Sequence, residues 1–266
     1  MLALRGVIIF LGGLVFMFLP GVFISMASQR GLRYNRSMLL WGMALLGLTL
    51  PANYLTVLLG YIFVGDGEAS LVDNIVVAML GSLLAAFFVH TAQYLILRSR
   101  SKQPGDLLGN GVMIGLGFGL LNKVFLGFIL TGIGMRLLFG DTVTADLGQI
   151  SVQPWLSMLI SLIALVIDRL ALVIVYGALG VFVARAILEK NMRWFWGAVA
   201  ANTAFATAYA SISLGLDMNT LPANLLVIGY EGILAFVVLR WLIRQRPLPD
   251  KSTTGGAVSL TKPKAT

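Results

Sequence analysis

Residues 98–123, RSRSKQPGDLLGNGVMIGLGFGLLNK, combine the two patterns that decide the fold of this chain. The segment opens with a short basic loop, and an apolar glycine-rich run follows from Gly109 and continues to residue 139. A run of this length exceeds the ~20 residues that a helix needs to cross the hydrocarbon core of a bilayer. The segment therefore predicts a basic loop at a membrane surface, followed by a membrane-spanning helix.

The composition of the whole chain excludes a soluble globular domain. Of its 266 residues, 58% are hydrophobic and 11% are charged, and the mean hydropathy is +0.91. A soluble domain has roughly 45–50% apolar and about 25% charged residues, because its surface must face water. The absence of cysteine excludes disulfides, thiolate metal sites and a cysteine nucleophile. Since His90 is the one histidine, a site built from several histidines is excluded as well.

Apolar runs recur along the chain between charged or Pro-, Gly- and Asp-rich interruptions. The seven runs cover residues 7–27, 39–63, 72–97, 109–139, 154–184, 194–214 and 223–243. We therefore predict an all-α fold, a polytopic bundle of about seven transmembrane helices within residues 1–246. Residues 247–266 are rich in Pro, Lys, Ser, Thr and Gly, a composition that predicts a disordered cytoplasmic tail.

Charge alternates between successive loops. The basic residues of the first, third and fifth loops are Arg30, Arg33, Arg36, Arg98, Arg100, Lys102, Arg185, Lys190 and Arg193. The second, fourth and sixth loops contain acidic residues but no Lys or Arg, and we assign Arg5 alone among the basic residues to that side. The positive-inside rule then places the amino terminus outside and the carboxyl terminus in the cytoplasm of a bacterial-type plasma membrane. Basic residues spread over short loops do not form the continuous patch that nucleic acid requires.

Charged side chains within the predicted spans are costly and need partners. Asn122 and Lys123 lie near the middle of the fourth span, and Asp168 and Arg169 near the middle of the fifth. Lys123 and Asp168 are predicted partners because opposite charges at one depth lower each other's desolvation penalty. Arg169 is then expected to reach either Glu231, in the outer half of the seventh span, or helix carbonyls. These residues either line a polar cavity or only fix the register of the helices.

A second polar group is predicted toward the cytoplasmic ends of the third and sixth spans. His90 and Gln93 are three residues apart and share one helix face, and Asn202 is expected at a similar depth. The three side chains are predicted to hydrogen-bond with one another. They either hold two helices together or contribute to a ligand site.

Glycines recur at short spacing through the fourth span. Gly115, Gly117 and Gly119 form a G-x-G-x-G pattern, but no strand precedes it and it lies in an apolar run, so it is a poor phosphate-binding motif. Small residues at this spacing allow helix backbones to approach closely. Because the run is longer than an upright span needs, tilt or a break near the glycines is also expected.

The order of these segments resembles the YhfC family of intramembrane-protease-like proteins, which is similar to the CAAX-prenyl-protease-like group. That family carries an E-E-x-x-R-Y motif, then a G-x-G-H-G-x-x-E motif after a basic loop, then E-R with a later His, and finally H-x-x-x-D. The corresponding segments here are residues 88–94 (FVHTAQY), residues 115–122 (GLGFGLLN), Asp168-Arg169 with Tyr176, and Asn202 with Ala206. The resemblance covers roughly residues 80–210 and implies the fold of that family.

The chemistry of the family does not follow, because the catalytic positions are substituted. Val89, His90 and Gln93 replace the two glutamates and the arginine of the first motif, and Phe118 and Asn122 replace the His and Glu of the second. The remaining substitutions are Tyr176 for the third-motif His, and Asn202 and Ala206 for the final His and Asp. A water activated by a carboxylate or by a metal needs carboxylates or histidines, so neither set is available at these positions.

Three functional hypotheses follow. The first is a non-catalytic relative of an intramembrane protease, without cofactor or metal, whose cavity binds membrane lipid, a transmembrane peptide or a partner helix. The second is a carrier for a small molecule or ion, since carriers place their sites at mid-depth. The third is an active protease with a relocated site, for which His90 and Glu231 are the candidate catalytic residues.

Overall fold

The computed structural model describes residues 2–29, 34–64, 70–101, 104–139, 155–216 and 221–244, in which the regular structure is entirely helical. The helices are α1 (Leu2–Gln29), α2 (Ser37–Ala44), α3 (Thr49–Val64), α4 (Leu71–Arg100), α5 (Pro104–Leu138), α6 (Trp155–Leu188), α7 (Met192–Gly215) and α8 (Leu221–Arg244). The all-α prediction is therefore confirmed. The predicted tail, residues 247–266, lies outside the described residues, as do the side chains of Asn122 and Lys123.

Five helical segments are long and apolar enough to cross a membrane. They are Ser37–Ile62, Leu71–Arg100, Asp106–Leu138, Leu159–Leu188 and Pro222–Leu242. A shorter apolar stretch, Ala3–Phe18, lies in α1. The predicted sixth span, α7, is not among the five, since polar residues such as Asn202, Thr203 and Ser211 reduce its hydropathy. The chain thus has the helices of a membrane protein, and the number seven remains a prediction.

The predicted second span, residues 39–63, is interrupted. A short 3-10 segment, Leu45–Leu48, separates α2 from α3. Pro51 stands in the first turn of α3, where it has no N–H for the carbonyl of Gly47 and its ring crowds that carbonyl. The tighter 3-10 turn absorbs this mismatch, and the hydroxyl of Thr49 donates to the carbonyl oxygen of Leu46 (2.6 Å).

Helix α5 lies at the centre of the bundle, against α1, α2 and α6. Its glycines make these contacts possible, because a Cβ atom at Gly115 would overlap the carbonyl oxygen of Tyr176 in α6. A Cβ at Gly117 would likewise overlap the carbonyl oxygen of Leu39 in α2. The close-packing interpretation of the glycines is confirmed. Of the tilt or break expected from the length of the run, the break is not found, since α5 runs without interruption over its 35 residues. The tilt stays a prediction.

Local capping fixes where two of the helices begin. The hydroxyl of Ser70 accepts from the backbone N–H of Asp73 (3.2 Å), and the carboxylate of Asp73 accepts from the N–H of Ser70 (3.1 Å), so a capping box starts α4. The amide oxygen of Asn191 accepts from the N–H of Arg193 (3.0 Å) and starts α7. Lys190, with φ of 51°, lies in the tight turn between α6 and α7.

The described parts of the loops that the sequence marks as basic lie at one end of the bundle, here called the basic end. A Cβ atom at Gly111 would overlap the carbonyl oxygen of Gly180, so the start of α5 lies beside the end of α6. The guanidinium of Arg100, at the end of α4, lies 5.3 Å from the ring of Trp41 in α2. Arg185 of α6 lies 4.8 Å from the ring of Trp194 at the start of α7. The side chain of Asn110 accepts from the N–H of Asn35 (2.7 Å), which joins the first basic loop to α5.

More arginines lie at the end of the bundle opposite the basic end than the loops alone predict. Gly6, next to Arg5, packs against Gly134 of α5 at the end opposite the basic end. Arg136 lies within the last turn of α5 at that same end. The assignment of Arg5 alone to that side is therefore wrong, because Arg136 falls inside an apolar run and was not counted with the loops.

Candidate functional site

A cavity of about 280 Å³ lies between α3 and the middle of the bundle. From α3 and α4 it is lined by Thr49, Thr56, Ala78, Gly81, Ser82, Ala85 and Val89. From α5, α6 and α7 it is lined by Phe118, Tyr176, Asn202 and Ala206. Five helices therefore contribute to one cavity near the middle of their lengths.

Positions from all four motif-like segments meet in this cavity. Val89, Phe118, Tyr176, Asn202 and Ala206 are far apart in sequence, yet each lines it. They provide two aliphatic groups, an aromatic ring, a phenol and an amide.

His90 of α4 is held between two amides directly behind the cavity wall. Its Nδ1–H donates to Oε1 of Gln93 (2.8 Å), and Nδ2 of Asn202 donates to its Nε2 (3.3 Å). These partners assign the neutral tautomer. His90 and Gln93 are fully buried and Asn202 is 7% exposed. The predicted contact among the three residues is present, and it occupies both ring nitrogens of His90.

An aromatic pair lines the cavity from α5 and α6. The ring centroids of Phe118 and Tyr176 lie 4.6 Å apart with an edge-to-face angle of 76°, an arrangement that aromatic quadrupoles favour. Phe118 belongs to a buried apolar cluster, and Tyr176 packs against it. Apart from the phenol oxygen, the pair therefore gives the cavity an apolar wall.

A separate charged cluster lies among α6, α7 and α8. Nε of Arg169 lies 2.9 Å from Oδ2 of its neighbour Asp168, which is 4% exposed. Glu231 of α8 is fully buried, and Asp168, Arg169 and Glu231 interact electrostatically with the phenol of Tyr209 in α7. Asp168 also interacts electrostatically with the phenol of Tyr176 in the cavity wall. Asp168, Arg169 and Glu231 do not line the cavity, so the structure places the sequence-predicted polar residues in two groups.

The two candidate catalytic residues do not meet. His90 bonds to Gln93 and Asn202 in the α4–α7 contact, whereas Glu231 lies on α8, which packs mainly along α6. Among the described residues, no three or more of His, Asp and Glu come close enough together to hold a metal ion.

The predicted pairing of Lys123 with Asp168 involves the side chain of Lys123, which lies outside the described residues, as does that of Asn122. Lys123 and Asn122 lie on α5, and α5 packs along α6, which carries Asp168. The pairing therefore stays a prediction.

Packing around the cavity loosens away from the basic end. All the buried residues of α7 fall between Phe195 and Phe205, and residues 206–216 are all at least partly exposed. In α4, residues 71–80 are likewise all at least partly exposed, whereas the half toward the basic end buries several residues. The cavity lies at the level where the tight packing of both helices ends.

Sequence reasoning missed the six lining residues of α3 and of the first half of α4, of which three are polar: Thr49, Thr56 and Ser82. They were not singled out because a hydroxyl inside an apolar helix donates to its own backbone, as that of Thr56 does to the carbonyl of Ala52 (2.8 Å). Pro51 could have indicated Thr49 as a lining residue, because it marks the interruption of the helix beside the cavity.

No family model matches the chain, and neither a curated protein nor a solved structure is significantly similar to it.

Proposed function

We propose that this chain is a multi-pass membrane protein that binds a ligand in the cavity at mid-depth and does not cleave it. The proposal is supported by the side chains at the motif-like positions: Val89, Phe118, Tyr176, Asn202 and Ala206. None of these is a carboxylate or an imidazole, and an amide does not act as a general base near neutral pH. The chain is then a non-catalytic relative of the YhfC-type intramembrane proteases that it resembles.

We propose seven spans, with the amino terminus outside and the carboxyl terminus in the cytoplasm. The gathering of Arg100 and Arg185 with Trp41 and Trp194 at one end supports this orientation. Cytoplasmic loops retain Arg and Lys, and tryptophan is enriched where a helix meets the membrane surface. The location that follows is the cell membrane.

Two alternatives have less support. A relocated protease would need His90 and Glu231 to act together, and the hydrogen bonds of His90 go to Gln93 and Asn202 instead. A carrier is favoured by the loose packing of α4 and α7 on one side of the cavity. The sequence, however, contains no second glycine-rich run like residues 109–119 that would indicate paired halves.

The deciding experiment measures both cleavage and binding with the purified full chain in lipid nanodiscs. A set of fluorescent transmembrane peptides is incubated with the chain and analysed by mass spectrometry, with and without added divalent zinc. We expect no cleavage. Turnover that is lost in Glu231→Gln or His90→Ala but kept in Asn122→Ala would overturn the proposal and favour the relocated protease.

Binding is tested with a matched pair of variants on α7. Ala206→Leu fills the cavity, whereas Ala204→Leu adds the same side chain at an exposed position two residues away. Ligands that co-purify with the native chain are extracted and compared by mass spectrometry. A ligand lost in the first variant and kept in the second supports the proposal, and equal retention in both contradicts it.

A further inference from the structure

We infer that the ligand of this cavity is a small neutral amphiphile with an amide-like or hydroxyl head and an apolar body. The inference rests on the proposed function and adds the chemical class of the ligand. It follows from the volume of the cavity, the charge of its walls and the hydrogen-bonding groups that remain available.

The volume limits the size of the ligand. A cavity of roughly 150 Å³ takes a benzene-sized ligand, so about 280 Å³ takes about eleven non-hydrogen atoms on the same scale. A whole lipid or a helix does not fit inside this volume. It suits a short-chain amphiphile or a single-ring compound with a polar substituent.

The walls require a neutral ligand. None of the described residues that line the cavity carries a charge. The charged side chains Asp168, Arg169 and Glu231 do not line it, and Asp168 acts on it only through the phenol of Tyr176. A charged group in the cavity would lose its hydration without direct contact with a counter-charge among the described lining residues, which is unfavourable in a medium of low dielectric constant.

The polar atoms specify the head group. The amide of Asn202 uses one N–H on His90, and it carries a second N–H and a carbonyl oxygen. The hydroxyls of Thr49 and Thr56 already donate to the carbonyls of Leu46 and Ala52, so toward a ligand they act as acceptors. The hydroxyls of Ser82 and Tyr176 also line the cavity and can donate or accept. A head group that both donates and accepts, such as a primary amide, satisfies this set.

The apolar body has a matching surface. The face of α4 that lines the cavity carries Ala78, Ala85 and Val89, and Phe118 closes the wall across from it. Because the packing of α4 loosens over residues 71–80, the body of the ligand is expected to point away from the basic end and toward the opposite end of the bundle.

The test uses the absence of cysteine from the chain. Ser82→Cys places a thiol in the cavity wall, and Leu83→Cys places one at the adjacent, 41% exposed position as a control for partitioning into lipid. Full-length variants in nanodiscs are labelled with N-ethylmaleimide in the presence of octanamide, octanoate or octylammonium, which share a chain length and differ in head-group charge.

We expect octanamide at four times its Kd to slow labelling of Ser82→Cys by about fivefold, since protection follows the free fraction of the site. Labelling of Leu83→Cys should be unaffected, and octanoate and octylammonium should protect neither position. Introducing Ala206→Leu into the Ser82→Cys chain should abolish the protection, and introducing Ala204→Leu should leave it intact.

Each of the other possible results contradicts a specific part of the proposal. Equal or better protection of Ser82→Cys by octanoate or octylammonium overturns the neutral ligand class and leaves the proposed binding function standing. Equal protection by hexadecanamide overturns the size limit. Protection by none of the probes, together with a native ligand that is insensitive to Ala206→Leu, overturns the proposed function itself.

Discussion

Nδ2 of Asn202 in α7 lies 3.3 Å from Nε2 of His90 in α4, and this hydrogen bond joins the two helices at the base of the cavity. On the side of the bond toward the basic end, both helices bury several side chains. On the other side, residues 71–80 and 206–216 are all at least partly exposed. The bond therefore joins α4 and α7 inside their tightly packed contact, since Ala86, Val89 and Phe205 are still buried beyond it.

The first prediction concerns the energy of this bond. We expect Asn202→Leu to lower the free energy of unfolding, because it leaves Nε2 of the buried His90 without its donor. A double-mutant cycle with His90→Leu should give a coupling between about 0.6 and 1.7 kcal/mol, the mean and the maximum measured for hydrogen bonds between membrane helices. Unfolding in mixed micelles measures it, and additive effects of the two single changes would contradict the bond.

The second prediction concerns the partner of Asp168. Because Nε of Arg169 lies 2.9 Å from its carboxylate, Asp168→Asn removes the anion in direct contact with this cation inside an apolar span and should destabilise the chain. Adding Arg169→Gln should restore part of the lost stability, since the cation that has lost its nearest carboxylate is then removed.

Lys123, which the sequence predicts as the partner of Asp168, provides the control for the pair of Asp168 and Arg169. Thermal unfolding of Asp168→Asn with Lys123→Met is compared with that of Asp168→Asn with Arg169→Gln. Rescue by Lys123→Met alone would show that Lys123, and not Arg169, carries the compensating charge. Rescue by neither change would contradict both pairings.

The helical elements and one polar contact were predictable from the sequence, since each depends on a local pattern. Apolar length sets where a helix can span a bilayer, and it gave helices over most of the observed ranges. The similar predicted depth of His90, Gln93 and Asn202 along their helices was enough to predict their contact. Counting apolar residues did not predict the interruption at Leu45–Leu48, because such a count does not register that Pro51 disfavours a continuous helix.

The cavity was not predictable in full, because its walls depend on which helices become neighbours. Thr56 lines it because α3 packs along α4, where a Cβ atom at Gly81 would overlap the side chain of Thr56. Nothing in the spacing of either helix specifies that contact. The separation of Glu231 from His90 likewise follows from the packing of α8 along α6.

The third prediction concerns the glycines of α5. Gly115→Ala should destabilise the bundle, because the added Cβ would overlap the backbone carbonyl of Tyr176 and neither backbone can move away easily. Gly132→Ala on the same helix is the control, since a Cβ there has no neighbouring atom within 4 Å. Alanine favours the helix by roughly 1 kcal/mol over glycine, so the control should be neutral or slightly stabilised. Equal loss of stability in both variants would contradict the close α5–α6 contact.

The last prediction concerns orientation in the membrane. Ser99 is exposed in the last turn of α4 at the basic end, and Leu216 is exposed just beyond α7 at the opposite end. If positive charge keeps the basic end in the cytoplasm, a membrane-impermeant thiol reagent applied to intact cells should label Leu216→Cys and leave Ser99→Cys unlabelled. Permeabilised cells provide the control, in which both positions should react. Labelling of Ser99→Cys with protection of Leu216→Cys in intact cells would reverse the orientation, and labelling of both would show that the two ends do not lie on opposite sides of the membrane.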